Sequence, residues 1–323
     1  MPRFRTATVT AVLSERAGLQ RVETDVGRAY ALTSLIGPVA VGDEVVLNTT
    51  AVDLDLGTGG WHVVHWNLSR REWGELGDGH IMKLRYTSLQ LETDPIMSTA
   101  PPHHGGVVIA CSLHSQVPCV AAALKHARPD GEVTYVMTDG AALPMVISDL
   151  VVQMRDSGLI DETITAGHAF GGDHEAVNLA SALAVASSDT VIVGMGPGVV
   201  GTESTYGTTA VEVASILDTA AALGRRPIAA LRYSDADLRE RHRGLSHHSR
   251  TALKLTRSTV DVAVPLGVEV DIERHHVVTV EDVDVPALLE ARGMRVTSMG
   301  RGPEVDPAFY AVAGAAGTLA SLT

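Results

Sequence analysis

The chain has 323 residues, 45% of them hydrophobic and 20% charged, with a formal net charge of −13. That composition supplies a substantial core and excludes a disordered chain. The acidic balance argues against general nucleic-acid binding, which calls for a basic stripe, and no apolar run reaches the roughly 18 residues of a membrane span.

The length suggests about two domains. Aromatic residues are scarce at 4%, so the core is built from small and branched side chains, as suits a tightly layered α/β domain. Lysine is nearly absent: Lys83, Lys125 and Lys254 stand against 22 arginines. Codon bias accounts for such a ratio as well as function does; if anions are recognised, guanidinium forks and backbone amides would do it. The two cysteines, Cys111 and Cys119, fall on a predicted strand and the helix after it, a poor geometry for a disulfide. With no apolar signal core at the N-terminus, the expectation is a reduced, cytoplasmic protein with no membrane partner.

In chain order, residues 4–66 are β-rich. Short β-branched segments at 4–13, 20–26, 28–34, 44–48 and 61–66 are punctuated by Gly27, Gly37, Gly42 and the glycines at 57–60. Their spacing predicts a small barrel or sandwich without a helix of useful length. Trp61, His62, His65 and Trp66 alternate as on one strand facing both sides. A charged stretch at 70–79, a further strand at 80–91 and a loop at 92–106 follow, the last with His103 and His104. The domain boundary is placed here, giving a small β-rich domain with connector over 1–100 and an α/β domain over 101–323.

From residue 107 strands and helices alternate. Strands are predicted at 107–113, 132–137, 163–166, 189–195, 227–231 and 260–264, with helices at 116–127, 144–157, 173–186, 208–223 and 246–256. Continuous apolar strands between amphipathic helices predict a mostly parallel, Rossmann-like sheet covered on both faces. A strand at 276–280, a helix opened by Pro286 and a last helix opened by Asp306 and Pro307 complete the chain. The small residues at 311–317 let that last helix pack closely on a neighbour, in the same chain or in a second copy.

Ligands of such sheets bind beyond the carboxyl ends of the strands, and four loops there carry chemistry. In the first, Ser115 fits a helix cap and the amides around Gln116 could hold an anion, with His114 at the rim; a capped helix beside a packed histidine is the simpler account of the same residues. The second holds His168, Gly171, Gly172, Asp173 and His174. Its glycines allow close backbone approach, Asp173 would cap the next helix, and His168, Asp173 and His174 offer mixed nitrogen and oxygen donors to zinc or manganese. In the third, Gly196, Gly198 and Gly201 formally match a dinucleotide fingerprint, but the position, the late helix start and the lack of a downstream acidic residue argue against one. What remains is a glycine-rich loop with Thr202, Glu203, Ser204 and Tyr206 as ligand contacts.

The fourth segment, residues 239–250, holds four arginines and three histidines. A short helix beginning near Ser234 is predicted to end at Gly244, and Ser246 to cap a second helix. Arg241, His242 and Arg243 would then suit a helix C-terminus, where the dipole favours cations. His247 and His248 would lie at a helix N-terminus, which favours neutral imidazoles able to accept protons or bind metals. His275 and His276 are taken as strand-edge residues, and no nucleophile elbow or Ser-His-Asp order is present.

Taken together, the segments 79–87 (GHIMKLRYT), 112–116 (SLHSQ), 167–173 (GHAFGGD), 196–202 (GPGVVGT) and 239–248 (RERHRGLSHH) resemble a bacterial family catalogued as domain of unknown function 3866. The resemblance runs over nearly the whole chain, and it implies no catalytic residues. The residues themselves lead to a small anionic ligand, phosphate- or carboxylate-bearing, held by glycine-loop amides and arginines. His247, His248, His242 and His114 are the candidate acids and bases for hydrolysis or group transfer. The alternative is a non-catalytic metabolite sensor or assembly module. No cofactor is specified, though a divalent metal is compatible with these donors, as is a homo-oligomer with the last helix.

Overall fold

The computed structural model describes residues 1–57, 59–74, 77–97 and 105–322; His103 and His104 lie outside them. The chain forms two compact units, Met1–Asp94 and Pro95–Thr323.

In the first unit, strands β1 (Phe4–Arg16), β2 (Leu19–Thr24) and β3 (Arg28–Ala31) are followed by the single-turn helix α1 (Thr33–Ile36). Strand β4 (Glu44–Asn48), the single turn α2 (Thr50–Asp53) and β5 (His62–Asn67) complete the set. They close a five-stranded barrel in the order β1-β2-β3-β5-β4, with β3 and β5 parallel and the other pairs antiparallel. Alternate residues such as Val9, Val22, Ala29, Val45, Leu47 and Val64 fill the interior, which is the period-2 rule at work. Outside, Tyr30 stacks on Trp61 with centroids 4.8 Å apart. The strand expected at 80–91 is instead two, β6 (Ile81–Lys83) and β7 (Leu91–Thr93), paired antiparallel. Leu84 and Tyr86 take positive φ between them, which a continuous strand forbids.

The second unit runs β8 (Val107–Cys111), α3 (Gln116–Ala127), β9 (Val133–Thr138), α4 (Asp149–Asp156), β10 (Glu162–Ala166), β11 (His174–Ala176), α5 (Leu179–Val185) and β12 (Thr190–Met195). It continues with α6 (Glu212–Ala222), β13 (Arg226–Ala230), β14 (Tyr233–Ser234), β15 (Gly244–Leu245), α7 (His247–Leu255), β16 (Asp261–Pro265), β17 (His276–Val280), α8 (Val285–Glu290) and α9 (Pro307–Ser321). Eight strands form one sheet in the order β11-β10-β9-β12-β8-β13-β16-β17, every pair parallel. Along β8, Val107, Ile109 and Cys111 face a core shared with α3, α8 and α9. Val108 and Ala110 face the other core, shared with α5, α6 and α7. Burial on both faces explains why these strands are continuous apolar runs.

Close packing of α9 is settled within the chain: a Cβ on Gly317 would stand 2.1 Å from the Val120 carbonyl oxygen of α3. Both cysteines are free and buried, and no described helix is long and apolar enough to cross a membrane.

Two helix expectations fail locally. Residues 173–186 do not form one helix headed by Asp173. The Asp173 carboxylate accepts hydrogen bonds from Thr163 N and Oγ, both 2.9 Å, and the chain adds edge strand β11 to β10. Helix α5 starts later, capped by Asn178 in a reciprocal pair with Ser181. Nor does a helix run from Ser234 to Gly244. Ser234 Oγ accepts from Asp237 N at 2.9 Å, and Asp237 accepts from Arg239 N at 3.0 Å. These bonds tighten the segment into a single 3-10 turn at Glu240–His242, between the two strands of a short hairpin.

Candidate functional site

The carboxyl ends of β8, β12 and β13 lie side by side at the centre of the sheet. Beyond β13 the chain passes Arg232, makes the β14–β15 hairpin and enters α7 through Ser246. As predicted from its position, Ser246 caps α7, its Oγ accepting from His248 N at 3.2 Å. The same oxygen lies 2.7 Å from His242 Nδ1. This turn gathers three imidazoles: His242, His247 and His248 have ring centroids 4.3–4.9 Å apart. His242 and His248 are buried, and His247 is half-buried.

A cavity of about 130 Å³ opens beside them. The loop after β12 supplies one wall through residues 199–202; Arg232, Arg239, Arg241, His242 and His248 supply the other. Gly201 lets the loop lie against the histidine, because a Cβ there would stand 3.2 Å from His248 Cε1. The third and fourth sequence segments therefore converge.

Charge in the cluster is unbalanced. Asp237, almost fully buried, pairs with Arg239 at 2.9 Å, Arg301 at 3.3 Å and Arg232 at 3.6 Å. Asp306 takes Arg301 Nε at 3.0 Å and the Ser234 hydroxyl at 2.6 Å. Arg241 meets the exposed Glu203 at 3.8 Å. Burial works against the charged form of Asp237, but hydrogen bonds from Arg239 and the charge of Arg301 hold it far below the usual carboxylate range. Burial, followed by the positive charges of Arg232 and Arg239, lowers His242 to about 3. Burial, Arg232 and His247 lower His248 to about 4. His247 is lowered by burial and then Arg241. All three are neutral imidazoles near neutral pH, with lone pairs to offer. Arg232 Nη1 donates to His248 Nδ1 at 3.3 Å. Three buried atoms of the cluster, His247 Nε2, Arg232 Nη2 and Asp306 Oδ1, have no hydrogen-bond partner, an expensive arrangement for a folded chain to keep.

The family described as "Protein of unknown function (DUF3866)" matches residues 28–317. The chain belongs to this family. No curated protein and no solved structure matches it. The matched span takes in the histidine cluster, the arginines and both walls of the cavity.

Other candidate residues are placed differently. His114 is buried and does not line the cavity. Its Nε2 lies 2.6 Å from Ser148 Oγ, its Nδ1 3.2 Å from the Met195 carbonyl, and burial lowers it to about 4. Ser115 does not cap α3; it is already in a helical conformation and donates to Ser298 Oγ at 3.2 Å. Gln116 braces the loop before the helix and does not cap it. Its Oε1 accepts from Ser112 N and Leu113 N at 2.9 Å, and its Nε2 donates to Leu231 O at 2.7 Å, tying β8 to the end of β13. That leaves its amide committed within the protein.

Thr202 lines the cavity and hydrogen-bonds Ser204 at 2.8 Å. Gly198 turns at positive φ, whereas Gly196 packs under the loop, where a Cβ would meet the Ala142 carbonyl oxygen at 2.6 Å. Arg243 is exposed, apart from the cavity lining. Gly171 donates to Glu175 at 2.7 Å, and Gly172 is pressed against the backbone of Thr163 and Thr165.

His168, Asp173 and His174 are not brought together as a ligand set. Asp173 is held by Thr163 and Arg155, His174 faces Glu162 at 3.4 Å, and the His168 amide donates to Asp139 at 2.9 Å. Among the described residues, the group of three metal-ligating side chains within reach of one another is His242, His247 and His248.

Two participants carry weak sequence signals or none. Arg232 interrupts the apolar run directly after β13, the place where sheet ligands bind, and that could have flagged it. Arg301 arrives from a distant segment with no local cue. Glu212, inside the predicted helix at 208–223, does not line the cavity; burial, opposed by the Thr138 hydroxyl at 2.8 Å, and the nearby Asp139 push its carboxyl up to about 7.

Proposed function

We propose that the α/β unit binds a small phosphate- or carboxylate-bearing ligand in the cavity between residues 199–202 and the segment from Arg232 to His248. Hydrolysis or group transfer is the reaction class. One observation carries the reading: Arg232, Arg239 and Arg241 line one cavity in a chain of net charge −13, and among the described residues no carboxylate lines it with them. Guanidinium groups hold such oxyanions through paired hydrogen bonds. A cavity of about 130 Å³ suits an anionic headgroup, whereas whole drug-sized ligands occupy roughly 300 Å³ or more. The remainder of the ligand would extend past the exposed Ser204.

A larger cavity, about 370 Å³, is lined by Glu132, Asp189 and Thr190 at the amino ends of β9 and β12. Sheets of this kind bind at the opposite edge, so the smaller cavity is preferred. An anion there would raise the imidazoles of His242 and His248, which line the cavity, from their lowered values. A cytoplasmic location, and a small molecule in place of nucleic acid or membrane, belong to the same reading; the free thiols and the acidic balance support them.

Calorimetry with phosphate, pyrophosphate and citrate tests it. Arg239→Ala and Arg241→Ala should each weaken the best anion at least about tenfold. Unchanged affinity in both variants, or no binding of any anion by the unmodified chain, would sink the proposal. A non-catalytic sensor is the second reading, favoured by the lack of a carboxylate base on the cavity wall; bound anion without turnover would select it.

A further inference from the structure

Three imidazoles packed against one another, with no carboxylate among them, call for an explanation beyond anion binding. One ring nitrogen from each of His242, His247 and His248 lies within 4.8 Å of the others. In a tetrahedral site with nitrogen ligands about 2.0–2.1 Å from zinc, those atoms would be roughly 3.4 Å apart, a contraction that small side-chain rotations supply. Ser246 orients the first ring. With Nδ1–H of His242 donating to Ser246 Oγ at 2.7 Å, its Nε2 keeps the lone pair, the usual outer partner of a metal-bound histidine. His247 Nε2 is buried without a hydrogen-bond partner. Neither arrangement helps to bind an anion, since a neutral nitrogen lone pair repels one.

We propose that His242, His247 and His248 bind a divalent zinc ion as three neutral ligands, leaving a fourth position toward the arginine-lined cavity. Three histidines with one open position is a donor set that zinc accepts. His248 is the costly member. Its Nδ1 accepts from Arg232 at 3.3 Å, and joining the ion disturbs that bond; Asp237, 3.6 Å from Arg232, retains the displaced guanidinium. The surrounding arginines oppose a bare cation, so an anion bridging metal and arginines would tighten both, and the coupling must be reciprocal. Only this coupling rests on the anion reading; the metal site itself does not.

The test uses the full chain, stripped with chelator and titrated first with Co²⁺ and then with competing Zn²⁺, in buffer free of phosphate and carboxylates. The expected result is about one equivalent bound, with the visible absorption of four-coordinate cobalt. His247→Gln should lower affinity at least about tenfold with unchanged circular dichroism, and His248→Ala should do the same. His247 is half-buried, so its variant decides the matter if His248→Ala does not fold. Arg241→Ala should keep the metal and lose added phosphate, which separates failure of the anion site from failure of the metal site. No stoichiometric cobalt, or wild-type affinity in His247→Gln, would overturn the proposal.

Discussion

The loop between β10 and β11 and the segment from Arg232 to His248 are matched in composition: each follows a strand of the parallel sheet and each offers histidine, glycine and an acidic residue. In the first, the polar groups spend themselves on one another. Asp173 holds the backbone and hydroxyl of Thr163, Glu175 holds the amide of Gly171, and His174 faces Glu162. In the second, buried donors and acceptors are left over at His247 and Arg232, beside a cavity. The difference teaches that residue types nominate a site, whereas hydrogen-bond accounting separates a brace from a site.

Asp173→Ala challenges the comparison most strongly. It leaves Thr163 and Arg155 without their acceptor and should cost about 1–3 kcal/mol, read as a lower melting temperature with anion affinity intact. Lost affinity at unchanged melting would invert the assignment of the two loops.

Acid should act mainly on the second region. His242 and His248 fall to about 3 and about 4 from an ordinary 6.5. The unfolded chain therefore binds protons first as pH drops. Stability is complete above about 6.5 and declines toward about 4, by up to about 1.4 kcal/mol per pH unit for each group. Buried His114 contributes in the same sense. Melting curves of His248→Gln should show a shallower decline than the unmodified chain; parallel curves would remove the histidine cluster from the explanation.

Glu212 runs the other way. Its carboxyl is raised from 4.5 to about 7, so its contribution is fullest below the unfolded value and is lost as pH climbs through the folded one. Glu212→Gln should gain on the order of 1 kcal/mol at about pH 8 and nothing near pH 4. An equal gain at both would point to packing instead of ionisation. The smallest stability effect is expected from Arg241→Ala, below about 0.5 kcal/mol in melting experiments, although its anion affinity should fall most visibly. A large melting loss would make Arg241 part of the frame.

The parallel sheet was legible because its strands are buried on both faces and so are written as unbroken apolar runs. The cap at Ser246 was legible because the capping oxygen is local to the helix it starts. Strand β11 was not: His174–Ala176 is three residues long, and its placement depends on Asp173 reaching back to Thr163. Ser115 misled for a similar reason, since its backbone is already helical and its hydroxyl turns to the distant Ser298. Of the histidine cluster, His247 and His248 stood out by position, but the turn that delivers His242 to them is set by Asp237 and Arg239.

Strand order has a kinetic side. The earliest strand of the sheet in the chain, β8, lies between β12 and β13, so Val107 must wait for Thr190 on one side and Arg226 on the other. Such non-local pairing slows folding and leaves an apolar strand exposed in the meantime. The hairpin and helix that bring the three histidines together hang directly from the end of β13. During refolding, cobalt-binding capacity should therefore emerge no earlier than the closure of the sheet's centre, and the metal would report on the last stages of assembly.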